Sequence, residues 1–226
     1  GMTGSGAYNF GGAKTQTSYI GTKSKLALSN NIDAKILAVF GRSTMAKPTD
    51  SLVLGAEDVV SSSVSVSLMA HNLFQKDQLN FQIAQPPKVE SGRLAISTIG
   101  DYDALGNLTH KRLSVSLSPS GRQIDYGVSY KFESGAGLIT TAKSLYITEP
   151  SHRAYAKPKI INFLGIAKSG HKLGLGMTKT AEKQSRQFSY EWVKSTHRGA
   201  GKFGIRASSG SSREVKEIGV TFKLVF

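Results

Sequence analysis

Apolar residues stand at every second position over most of this chain, and helical spacing is scarce. Val60, Val64, Val66, Leu68 and Ala70 alternate with Ser61, Ser63, Ser65 and Ser67. Leu79, Phe81 and Ile83 alternate with Asn80 and Gln82; Leu113, Val115 and Leu117 with Ser114 and Ser116. Ile124, Tyr126, Val128, Tyr130 and Phe132 alternate with Gln123, Asp125, Gly127, Ser129 and Lys131; Phe188, Tyr190 and Trp192 with Gln187, Ser189 and Glu191. Side chains of a strand point to opposite faces in turn, so each segment predicts a strand with one apolar and one wet face. Strands are expected near 18–29, 32–41, 59–70, 78–85, 92–98, 111–118, 122–132, 138–147, 159–167, 171–179, 186–195, 201–207 and 214–226. Turn signals separate them, among them Gln85-Pro86-Pro87, Ser118-Pro119-Ser120-Gly121, Lys168-Ser169-Gly170 and Ser208-Ser209-Gly210.

The last strand carries the most information. Ile218, Val220, Phe222, Leu224 and Phe226 form one apolar face that ends in an aromatic carboxyl-terminal residue. Bacterial outer-membrane β-barrels end this way, and their assembly machinery reads that strand. Many of the expected strands approach the roughly 9–11 residues that a tilted membrane strand needs. Two stretches resist alternation: 42–58, expected to be a long loop with or without a short helix, and the Pro-bounded 148–158. Residues 1–16 read as a flexible Gly-rich segment and 17–226 as one domain. The start lacks a charged region followed by an apolar run, so no signal peptide is expected within it.

Composition narrows the classes. No run approaches the roughly 18 consecutive apolar residues of a membrane helix, which leaves a barrel open because its lipid-facing residues occupy alternate positions. The apolar share of 39% is modest and by itself favours a soluble all-β module. Without cysteine there is neither a disulfide framework nor a thiolate metal site. The net charge of +14 comes from Lys and Arg spread along the whole chain. A basic surface attracts phosphates, and a Lys-lined lumen or rim meeting lipopolysaccharide or anionic lipid is preferred here over general nucleic-acid binding, the less favoured alternative.

Catalytic chemistry finds little support. His71, His110, His152, His171 and His197 are far apart, none at zinc-pair spacing, so neither a metal nor a cofactor is expected. Gly41-Arg42-Ser43-Thr44-Met45-Ala46 approximates the nucleophile segment of subtilisin-like proteases, but an extra residue intervenes and no segment supplies the base and its orienter. The match is read as chance, and the chain as not an enzyme.

The middle of the chain resembles the carboxyl-terminal autotransporter-like barrel domains of secreted subtilisin-like proteases. Asn72 to Gly92, with Gln85, Pro86, Val89, Glu90 and Gly92, matches their Gln-Pro, basic residue, Val-Glu and Gly; Pro119, Gly121, Arg122 and Asp125 match Pro-x-Gly-Arg-Glu-x-Asp; and Glu149-Pro150-Ser151-His152 matches Asp-Pro-Gly-His. The similarity covers roughly 60–165, and the chain continues through more strands than the family has after the segment matching Ile160–Ala167. The resemblance implies a translocator or anchor for an upstream passenger.

The expectation is therefore an all-β, up-and-down antiparallel β-barrel of about twelve strands in the bacterial outer membrane. Tyr126, Tyr130, Phe188, Tyr190 and Trp192 would meet lipid or form interfacial girdles, and the barrel-assembly machinery would be a partner. The rival is a soluble all-β binding module of a secreted or surface protein. The two differ in where the apolar face points, which alternation alone does not reveal.

Overall fold

The computed structural model describes residues 15–45, 52–196, 199–210 and 216–225, with side chains described through Trp192 (Glu57 excepted) and at Ile205. Twelve strands form one sheet: β1 (Thr15–Ser29), β2 (Ile32–Met45), β3 (Val53–His71), β4 (Asp77–Tyr102), β5 (Leu108–Ser116), β6 (Ile124–Glu133), β7 (Ile139–Thr148), β8 (Lys159–Lys168), β9 (His171–Thr180), β10 (Gln184–Thr196), β11 (Gly199–Gly210) and β12 (Lys216–Val225). A 3₁₀ turn, Pro150–His152, lies between β7 and β8. Every described ladder is antiparallel, and neighbours in sequence are neighbours in space except that β4 pairs with β6 while β5 branches from β4. The expected antiparallel meander of about twelve strands is present. Among the described residues no ladder joins β1 to β12.

The branch follows from the length of β4, 26 residues. Its first part, Asp77–Ala84, pairs with Asp125–Phe132 of β6. Its second part, Arg93–Tyr102, pairs with β5, so that β3, β4 and β5 rise past the end of β6 as an extension. Two expected breaks are therefore absent. Gln85-Pro86-Pro87 is not a turn between separate strands at 78–85 and 92–98. A proline has no N–H to give a ladder, so the chain bulges instead and continues: Val64 faces Gln85 and Ser62 faces Lys88, leaving Ser63 opposite both prolines. The long loop expected over 42–58 is shorter too, since β2 runs to Met45 and β3 starts at Val53. The short strand expected at 201–207 spans Gly199–Gly210. Of the expected flexible start, residues 1–14 lie outside the described residues, and β1 already begins at Thr15. At the β8–β9 turn Ser169 (φ 50°) and Gly170 (φ 84°) both take left-handed φ, the geometry that matches strand twist in a two-residue hairpin.

Directly opposed residues of an antiparallel pair share a face, so the register joins the strands into two continuous surfaces. One carries Phe40, Val64 and Val66, Phe81 and Ile83, Tyr126 and Val128, Tyr146, Leu164, Leu175, Phe188 and Tyr190. The other carries Ser63, Ser65, Ser67, Asn80, Gln82, Ser129, Lys131, Lys143, Ser189 and Glu191. On the polar surface the Phe163 ring lies over a glycine pair: a Cβ at Gly165 or Gly174 would come within 2.7 Å or 2.9 Å of it.

The exposure of these surfaces is the reverse of a soluble strand's. Val64, Val66 and Leu68 are exposed while Ser63, Ser65 and Ser67 between them are half-buried. Phe81 is 50% exposed, Ile83 54%, Tyr126 44% and Leu175 57%. Among the described residues the buried apolar side chains are Val53, Ala95 and Ile147, and no large side chain is fully buried. Among the described residues there is no second layer for the apolar face to pack against.

Candidate functional site: a bare apolar face and a polar junction

The aromatics expected as girdles lie in strands that place them on the apolar face. Tyr126 approaches Tyr146 of β7, with ring centroids 6.3 Å apart. The Tyr130 hydroxyl donates to Asp77 Oδ2 at 3.1 Å, anchoring its polar tip at the β3–β4 turn. Tyr190 stacks on His171 and hydrogen-bonds its Nδ1 at 2.8 Å, and Trp192 lies 6.3 Å from the same imidazole. Rings with an apolar body and a hydrogen-bonding tip suit a boundary between apolar and wet surroundings. Phe188 is exposed in mid-strand. Between Phe81, Ile83, Tyr126, Val128 and Tyr146, the small Ser144 leaves a surface hollow of about 510 Å³.

The terminal-strand positions Ile218, Val220, Phe222 and Leu224 lie in β12. Their backbones oppose Ala207, Ile205, Phe203 and Gly201 of β11, in a register that continues the apolar face of Phe188, Tyr190 and Trp192. Phe226 lies outside the described residues.

Three motif segments far apart in sequence meet where β6 begins, just beyond the bulge of β4. Arg122 grips the Glu90 carboxylate with two nitrogens, at 3.1 Å and 2.8 Å, and also donates to Gln85 Oε1. The Ser62 hydroxyl donates to Glu90 Oε1 at 2.5 Å, and Lys88 Nζ donates to Glu90 Oε2 at 3.4 Å. The Arg122 backbone N–H donates to Glu149 Oε2 at 2.6 Å. His152 is buried and held at both ring nitrogens. Gln123 N–H donates to Nδ1 at 3.0 Å, which makes Nδ1 the acceptor, so Nε2 carries the proton and donates to Pro87 O at 3.1 Å. The prolines that force the bulge thus also free a carbonyl to receive the imidazole. Gly121 donates its N–H to His152 O at 2.7 Å, in a space with no room for a side chain. Ser151 N–H donates to Gln123 Oε1 at 2.7 Å, and Glu149, Ser151 and His152 all carry left-handed φ.

Gln85, Glu90, Gly121, Arg122 and His152 are therefore brought together. Pro86 acts through the bulge, Pro150 opens the 3₁₀ turn, and Gly92 (φ 149°) meets Val59, where a Cβ would come within 3.0 Å. Asp125 joins at the margin through Gln123, whose Nε2 donates to it at 2.8 Å, and Pro119 sits in the link before β6. Lys88 is the basic residue of the motif match, whereas sequence reasoning missed Ser62 and Gln123. Nothing marks Ser62 among its neighbouring serines, because its role depends on which residue the bulge places opposite it.

Hydrogen bonds from Ser62 above all, then from Arg122 and Lys88, hold the Glu90 carboxyl well below its ordinary 4.5, at about 2. A depressed folded-state value means that the ionised carboxylate stabilises the fold above pH 4.5 and that this contribution fades as the pH falls towards 2. Glu90→Gln should therefore be less stable than wild type near neutral pH, with the gap closing under acid. Urea unfolding across that range checks it, and a gap that stays constant would contradict the assignment.

The junction clamps the β7–β8 loop to β4 and has the form of a structural tie. Among the described residues no group of three His, Asp or Glu side chains is placed to hold a metal. Ser43, from the protease-like segment, pairs its hydroxyl with Thr17 Oγ1 at 2.9 Å, and no imidazole is among its described partners. No family model matches the chain, and neither curated proteins nor solved structures give a match.

Proposed function

We infer that this chain is an outer-membrane β-barrel serving as an autotransporter-like translocator or anchor for an upstream passenger. The observation that carries the membrane reading is the inverted exposure: the apolar face is bare and the serine-rich face is the more covered one. In water such a face would leave the main favourable term of folding unused. In a bilayer it meets acyl chains, while the strands between β1 and β12 are joined to their neighbours by antiparallel ladders, the internal pairing that a medium without water demands. β6, β7, β8 and β9 are ten residues each, the length that a tilted spanning strand needs. The β3–β4–β5 extension and the Glu90–Arg122 junction lie beyond that band, on the side where the strands outgrow it.

Closure of the sheet into a ring, by β1 meeting β12, belongs to this proposal, because open edges in lipid would leave backbone groups unpaired. The translocator role rests on the resemblance over 60–165, whose motif residues converge on one junction. Ile218, Val220, Phe222, Leu224 and Phe226 would be the assembly signal read by the barrel-assembly machinery.

The test is fold and solubility without detergent. The expected result is aggregation in plain buffer, with β-structure by circular dichroism and heat-modifiable gel migration recovered in detergent. A monodisperse β-rich monomer in buffer would replace this reading with a soluble binding module.

A further inference from the structure

The polar face is unevenly charged. Register places Lys35 of β2, Lys131 of β6 and Lys143 of β7 on it, among Ser67, Gln78, Asn80 and Ser129. Three carboxylates of that face have other partners. Asp33 is paired with Lys25 at 3.0 Å and His71 at 3.1 Å, Glu191 with Lys172 at 3.1 Å, and Asp125 accepts from Gln123. Glu133 stands one pleat beyond Lys131 at the turn, without a described ion pair. No carboxylate is within ion-pair distance of Lys35, Lys131 or Lys143 among the described residues.

Lys131 opposes Thr141, which puts Lys143 diagonally next to it on the adjacent strand. Such neighbours are roughly 7–8 Å apart, inside the roughly 8–10 Å screening length at ordinary salt. Two cations that close repel unless solvent or a counter-ion stands between them. A concave wall with low-dielectric surroundings strengthens that field and raises the local anion concentration.

We propose that the polar face is the wall of an anion-selective passage, with Lys35, Lys131 and Lys143 supplying the positive potential that admits small inorganic and carboxylate-bearing or phosphate-bearing solutes. This rests on the barrel reading, which puts that face inside the ring. It also assigns part of the +14 charge a role: cations facing a wet interior cost little and set which ions pass.

The test uses the full chain refolded in detergent and inserted into planar bilayers under a KCl gradient. The expected result is conductance steps whose reversal potential has the sign of chloride selectivity, several-fold over potassium. K35Q/K131Q/K143Q should move it towards the unselective value and K35E/K131E/K143E should reverse its sign, with heat-modifiable migration retained in both. Unselective or cation-selective steps from the wild type would overturn the inference and leave the barrel standing, as would refolded, heat-modifiable protein that gives no steps. Failure to become heat-modifiable in any detergent would overturn both.

Discussion

Val128→Arg is expected to destabilise the protein by about 2–4 kcal/mol when folded in lipid vesicles, the cost of a cation at the bilayer midplane on a barrel's outer face. Val128 sits in the middle of β6, opposite Phe81 and Ser144, and is 37% exposed. In water an exposed strand position of this kind accepts a charged residue within roughly 0.5 kcal/mol. The size of the penalty therefore reports the medium that the apolar face meets. Ser65→Arg is the matched control. It lies on the opposite face, between Leu37 and Ala84, and should cost far less because a wet wall solvates the guanidinium. Urea unfolding of both variants in vesicles makes the comparison. Equal costs, or a larger one for Ser65→Arg, would count against an outward apolar face in lipid.

Gly121→Ala should cost about 2–3 kcal/mol through overpacking and a lost hydrogen bond. Its new Cβ would come within 2.4 Å of Ala154 N, 2.6 Å of Arg153 C and 2.6 Å of Glu149 Oε2. Two of those atoms are backbone and cannot swing aside, so the link before β6 and the segment after the 3₁₀ turn must separate. The Gly121–His152 hydrogen bond and the Glu149 contact to Arg122 would be lost with them. The damage should be local as well as global: trypsin should cut at the exposed Arg153 far faster in the variant, while the ladders of β7 to β10 persist by circular dichroism. Unchanged cleavage and an unchanged unfolding midpoint would show that the junction tolerates separation. Because the junction lies outside the band of ten-residue strands, this result does not depend on the membrane reading.

Much of the fold was legible because alternation is a local property. The segments 122–132 and 171–179 became β6 and β9 almost as drawn, β6 starting two residues later at Ile124, since each contains its own period and is bounded by turn residues. Gln85-Pro86-Pro87 was misread for the opposite reason. Two prolines stop a ladder locally, yet β3 on one side and the long reach to β5 on the other carry the strand through with a bulge. The junction was half legible. Gln85, Glu90, Arg122 and His152 stood out as motif positions, but their convergence needed a strand that bulges, a link that turns at Gly121 and a loop with left-handed φ at Glu149. Ser62 and Gln123 carried no signal of their own.

By itself the sequence determined which residues share a face, because a strand's period of two is set by its own backbone. It determined the antiparallel meander as well, through the turn signals that separate successive alternating segments. Only the tertiary structure decided that the apolar face stays bare while the serine face is the more covered, and that β4 is one strand with β5 as a branch. Both depend on which segments lie side by side, and pairing across tens of residues is a property of the assembled sheet that no local pattern contains.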